Sequence, residues 1–174
     1  MSPSIAERPA LRIHYTGTAR TDAMTQVALT VLHEVCTTAL VTKITITSTR
    51  RTVEDQVRIM FSQARLHGVA YMYGLYALAG RQVVAVYEEQ QRQHRSDDET
   101  RLAMGMKIRE LGPERISNHI VAADSGLCVF DIAPSSVVPA QQKPQLIAAI
   151  ETHPRVKTFF KPPRDIAFHL EIAA

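Results

Sequence analysis

"DIAFHLEI", residues Asp165–Ile172, decides the reading of this chain. Ile166, Phe168, Leu170 and Ile172 alternate with Asp165, Ala167, His169 and Glu171. A period of two predicts a β-strand with one apolar face and one face that carries Asp, His and Glu. Upstream, "LCVFDI" (Leu127–Ile132) also reads as a strand and sets Asp131 inside an apolar run. A carboxylate in apolar surroundings is costly unless something pairs with it. Asp131 therefore needs a partner from elsewhere in the chain.

Working outward, "KITITS" (Lys43–Ser48) alternates isoleucine with threonine and predicts a third strand. Between the strands lie helical patterns. Met24, Val27, Ala28, Val31, Val35 and Ala39 form one apolar stripe over Thr21–Leu40. Val53, Val57, Met60, Phe61 and Ala64 form a second, opened by a Thr52/Asp55 capping pattern. Arg50 and Arg51 fall on the turn between that strand and that helix, a place where rigid elements hold functional side chains. Gly68, Gly74 and Gly80 punctuate a Tyr-rich stretch, and Val83, Val84, Val86 and Tyr87 lead from it into the polar "EEQQRQHRSDDE". Ser96 and Glu99 make a capping box that predicts a helix over Asp97–Leu111, ended by Gly112–Pro113. Pro139 opens another that ends near Glu151. Residues 1–10 read as a loose tail. Strands and helices mix without βαβ regularity, which favours α+β. The expected fold is a single domain over 1–174: a small, mainly antiparallel sheet flanked by helices, with the site across the sheet's open face.

The composition sets outer bounds. The chain has 174 residues, 45% hydrophobic and 21% charged, with a formal charge of +3. That is enough chain for a real core. The mild charge, without a Lys/Arg block or an RNA-binding signature, argues against a nucleic-acid partner. The two cysteines, Cys36 and Cys128, lack metal or disulfide spacing and read as buried thiols. No apolar run reaches membrane-spanning length. The start "MSPSIAERPALRIHY" lacks the pattern of a secretory signal, so synthesis in the cytoplasm is expected, with delivery by another factor if the substrate lies elsewhere.

Three groups stand out for chemistry: His119 in a loop, Asp131 on a strand and His169 on the polar face of the last strand. Two imidazoles and a carboxylate suit a catalytic zinc with its fourth position open to water, and the zinc would also partner Asp131. His14, His33, His67, His94 and His153 compete for the role, and a strand histidine is often structural.

Three motifs, in order, carry a resemblance. "STRRTVEDQ" resembles an S-x-x-R-[ST]-x-x-x-Q element, "SNHIVAADSGLCVFDI" an S-x-H-x-x-G-x-A-x-D element, and "FHLEI" a closing W-H-x-E strand. Together they resemble the group of zinc D,D-carboxypeptidases, D-Ala-D-Ala dipeptidases and phage L-alanyl-D-glutamate endolysins, over Ser48 to Ile172. The resemblance implies a D,D-peptidase/hedgehog-like fold. It implies a hydrolase, a metallopeptidase that cuts peptide bonds of peptidoglycan stem peptides in cell-wall degradation, carboxypeptidase-like or phage endolysin-like. It implies one zinc ion per chain, held by His119, Asp131 and His169. Arg51 matches an arginine that polarises a substrate carbonyl or binds a carboxylate, a task suited to the guanidinium's fixed fork of donors. Gln56 and Ser117 match substrate-site positions. Gln56 also reads as a solvated helix polar, and Ser117 as a turn serine that holds its loop.

Two departures from the family pattern matter. The family places six residues between the first histidine and the aspartate. Here the interval is longer, "VAADS" reads as an insertion, and Asp124 is a rival ligand. The family's general base stands three residues before the last histidine, where this chain has Ile166. Asp165, one residue earlier, is the expected base if the chain leaves strand geometry before His169. Glu171 is expected to support the metal from behind its ligands, and is the alternative base. The missing acid also leaves open a non-catalytic metal- or peptide-binding component of a phage or secretion apparatus.

Overall fold

The computed structural model describes residues 10–17, 19–120 and 125–173. The expected tail, apart from Ala10, lies outside them, and so do Asp124 and most of the "VAADS" insertion. Among the described residues the chain is α+β, with a five-stranded, mostly antiparallel sheet and six α-helices. It packs as two compact units, one from Met1–Arg50 and Gly126–Ala174, the other from Arg51–Ser125.

The first unit holds the sheet. Its strands are β1 (Arg12–Tyr15), β2 (Lys43–Thr49), β3 (Leu127–Ile132), β4 (Val156–Phe160) and β5 (Phe168–Ala173), in the order β1-β2-β3-β5-β4. Only β1–β2 is parallel. A parallel pair needs a crossover, and helix α1 (Gln26–Thr38) supplies it. The predicted helix over Thr21–Leu40 is shorter than its pattern. Thr21–Ala23 form a separate 3-10 turn, and the Thr25 hydroxyl caps α1 by accepting the Ala28 N–H at 3.1 Å. Helix α6 (Lys143–Thr152) follows a 3-10 turn at Ala140–Gln142.

Alternation along the strands builds the core. Ile44 and Ile46, Cys128, Phe130 and Ile132, and Phe168, Leu170 and Ile172 are buried against Val31, Leu32 and Val35 of α1 and Leu146 and Ile150 of α6. The intervening residues face the other way. An irregularity between Ile46 and Ser48 shifts β2 so that Ser48 falls beside Asp131. A row then runs across four strands: Ser48, Asp131, His169, Phe160.

The expected strand over Asp165–Ile172 is corrected at its start. Residues 162–164 form a turn, and β5 begins only at Phe168. The Asp165 carboxylate accepts the Ala167 N–H at 3.0 Å, which takes that N–H away from a strand ladder. Ile166, expected on the apolar face, is instead 94% exposed.

The second unit is helical: α2 (Val53–His67), α3 (Val69–Leu75), α4 (Leu78–Arg92) and α5 (Asp97–Leu111). Its core gathers Val57, Met60, Phe61 and Ala64 of α2 with Met72, Val83, Val84, Met104 and Ile108. Both capping boxes are present, Thr52 with Asp55 and Ser96 with Glu99. Helix α5 ends at Gly112, whose φ of +93° disfavours any residue with a side chain.

Candidate metal centre

Asp131 finds its partner on the neighbouring strand. β3 and β5 pair Asp131 directly with His169, so both side chains leave the sheet on one face. The His169 Nδ1 lies 2.9 Å from Asp131 Oδ1, and its Nε2 lies 3.5 Å from Glu171 Oε1. Glu171 is two residues along β5, on the same face, and accepts the Thr158 hydroxyl from β4 at 2.6 Å. Phe160 stacks on the His169 ring at 5.6 Å between centroids, and the Arg164 guanidinium lies 3.7 Å from the Phe160 centroid. His169 is 2% exposed. Burial alone would lower its pKa, but the hydrogen bond and charge of Asp131, followed by those of Glu171, raise it above the ordinary histidine value.

His119 is buried at 6% exposure. Its backbone N–H donates to the Ser117 hydroxyl at 3.2 Å, which is the local loop-holding bond expected of that serine. Its carbonyl accepts the Arg51 N–H at 2.8 Å. Arg51 lies on the turn before α2, as expected, and its Nη1 donates to Gln56 Oε1 at 3.2 Å. Gln56 is fully buried, which removes its reading as a solvated helix polar. Its Nε2 donates to the Tyr76 hydroxyl at 2.9 Å.

His119, Asp131 and His169 form a group able to hold a metal ion: one ligand atom from each lies within 4.8 Å of the others. Two imidazole nitrogens and one carboxylate oxygen suit zinc, whose bonds of about 2.0–2.2 Å leave a fourth position free in catalytic sites. Both ring nitrogens of His169 already face carboxylates, so ligation by either replaces a hydrogen bond rather than adding one. Asp165 is half-buried, with one carboxylate oxygen on the Ala167 N–H.

The sequence reading missed Tyr76, Thr158, Phe160 and Arg164. Tyr76 sits in the Tyr-rich stretch four residues before Gly80, a spacing that carries no chemical signal by itself. The other three depend on β4, which local alternation did not reveal. Comparison with family models, curated proteins and solved structures gave no match for this chain.

Proposed function

We propose that the chain is a zinc-dependent peptidase that hydrolyses peptide bonds of peptidoglycan stem peptides. The observation that carries this reading is the convergence of His119, Asp131 and His169, three residues far apart in sequence, into one buried ligand group. The cell-wall substrate comes from the resemblance of the three ordered motifs. When bound, zinc supplies a Lewis acid and lowers the pKa of bound water toward ~7.

The remaining work falls to the chain. Of the two carboxylates beside the His169 imidazole, Asp131 would join it as a ligand, and Glu171 would orient the ring from Nε2, a contact of the kind that supports metal affinity. Arg51 takes a substrate carbonyl or carboxylate oxygen through its guanidinium. Asp165 accepts the proton of the attacking water and returns it to the leaving amine. Glu171 holds His169 instead of taking that role, because the Thr158 hydroxyl and the His169 ring already occupy both its oxygens.

The test is metal analysis of the purified full-length protein, then incubation with purified peptidoglycan and mass spectrometry of the products. About one zinc per chain with new stem-peptide termini is expected. Absence of bound zinc after loading overturns the reading. A second reading is favoured by one observation: the family's acidic position is Ile166, which is 94% exposed. On that reading the protein holds metal and peptide without cutting, and zinc retention without any product selects it.

A further inference from the structure

We propose that Tyr76 is a positioning residue that acts through Gln56 to hold the Arg51 guanidinium, and that Gly80 is glycine so that the Tyr76 ring can be there. The inference rests on the proposed role of Arg51 as a grip for substrate oxygen.

The chain of contacts is continuous. Arg51 Nη1 donates to Gln56 Oε1 at 3.2 Å, and Gln56 Nε2 donates to the Tyr76 hydroxyl at 2.9 Å. The two bonds fix the amide orientation, because the flipped amide would set its NH2 against the guanidinium. Gln56 is fully buried. A buried amide left without a partner bears an uncompensated desolvation cost, so removing one bond releases the amide to seek another. Burial raises the Tyr76 pKa, with the Arg51 charge and the Gln56 bond opposing in part. The phenol therefore keeps its proton and remains a neutral acceptor.

Tyr76 is itself placed from two sides. It ends α3, and the Arg81 Nε donates to the carbonyls of Tyr73 at 2.8 Å and Tyr76 at 2.9 Å, which pins the turn into α4. A Cβ on Gly80 would lie 2.5 Å from Tyr76 Cδ1, 2.7 Å from its Cβ and 2.8 Å from its Cγ. Those are the root of the ring, which cannot swing aside without moving the hydroxyl away from Gln56. Nothing in the fold of α4 otherwise asks for glycine at position 80, and glycine is unfavourable inside a helix.

The experiment uses full-length Tyr76→Phe, Gly80→Ala and Arg51→Ala proteins. Side-chain NMR of Arg51 and Gln56 is the first readout. In the unaltered protein the Arg51 guanidinium protons should be resolved, which reports hindered rotation. In Tyr76→Phe they should coalesce, and the Gln56 amide signals should shift, while the backbone spectrum and zinc content hold. Gly80→Ala should do the same. If it does not fold, Tyr76→Phe decides alone. Unchanged Arg51 and Gln56 signals in Tyr76→Phe overturn the proposal. The second readout is turnover of peptidoglycan fragments. Tyr76→Phe should lower kcat/KM about fivefold to tenfold, the scale of one neutral hydrogen bond. In the Arg51→Ala background the same change should have no further effect, and additive losses overturn it. If the unaltered protein shows no turnover, the peptidase reading fails, and the NMR comparison still decides the positioning role.

Discussion

At the scale of single residues, His169 concentrates the site's chemistry. Its ring is wedged between two carboxylates and stacked on Phe160, so its charge, orientation and ligand capacity are set by neighbours on β3, β4 and β5. His169→Ala should abolish stoichiometric zinc binding, measured by metal analysis after dialysis. Zinc that survives in each of the His119, Asp131 and His169 single variants removes the ligand assignment. Arg51→Ala should leave fold and zinc in place and cut hydrolysis by about 10²–10³-fold, the order seen when an oxyanion donor is lost. Arg50, which aligns with no motif position and is exposed, should tolerate the same change. Asp165→Asn should keep zinc and lose turnover, whereas Glu171→Gln should weaken zinc binding first. The reverse pattern moves the base to Glu171. Away from the site, burial pushes the Cys36 thiol up to about 12, so its reactive thiolate is scarce at neutral pH. Native protein should resist a thiol-labelling reagent at Cys36 that modifies it rapidly after denaturation.

At the scale of elements, the start of α2 links stability to placement of Arg51. The Thr52 hydroxyl accepts the Asp55 N–H at 3.0 Å, and the Asp55 carboxylate accepts the Thr52 N–H at 3.3 Å. Thr52→Ala should cost about 1 kcal/mol in chemical denaturation. Desolvation alone would raise the Asp55 pKa, but the Thr52 bonds and the Arg58 charge bring it below the ordinary value. A carboxyl lowered in the folded state stabilises above its unfolded pKa, and the contribution fades as pH falls through the folded pKa. The penalty of Thr52→Ala should therefore shrink in acid, and a penalty independent of pH would place the cap's value elsewhere. The sheet depends on different terms. Phe130 is fully buried at the centre of the first unit's core, and Phe130→Ala should cost about 3–5 kcal/mol.

At the scale of the whole molecule, metal binding at the candidate site would be coupled to folding. The three ligand residues come from points 12 and 38 positions apart along the chain, and an unfolded chain does not hold them together. Zinc at a hundredfold excess over its Kd should add about 2.7 kcal/mol to stability, seen as a rise in Tm that a chelator reverses. No rise in Tm with saturating zinc contradicts a site built from these residues.

Where a local pattern is strong, the sequence alone determined the outcome. The apolar alternation of β2, and of β5 beyond Ala167, the apolar run of β3, and the two capping boxes of α2 and α5 all lie in contiguous residues. Their physics is local: side-chain periodicity and a bond across three positions. The identity of the metal-binding candidates was legible for the same reason, since residue type fixes ligand chemistry. Tertiary structure decided the rest. β1 and β4 are the two edge strands, short and weakly alternating, and they exist as strands because β2 and β5 offer them ladders. Helix α3 and the start of α4 run through a stretch punctuated by Gly68, Gly74 and Gly80, and packing of Met72, Val83 and Val84 with α2 and α5 supports them. The turn that exposes Ile166 wins over its apolar period because Asp165 bonds the Ala167 N–H. Gln56 reads equally as a substrate-site match and as a helix polar until Arg51 and Tyr76 close around its amide, and Asp131 reads as a charge in need of a partner until β5 brings His169 beside it. Hydrogen bonds between residues twenty or thirty-eight positions apart leave no periodic trace, so only the folded chain could assign them.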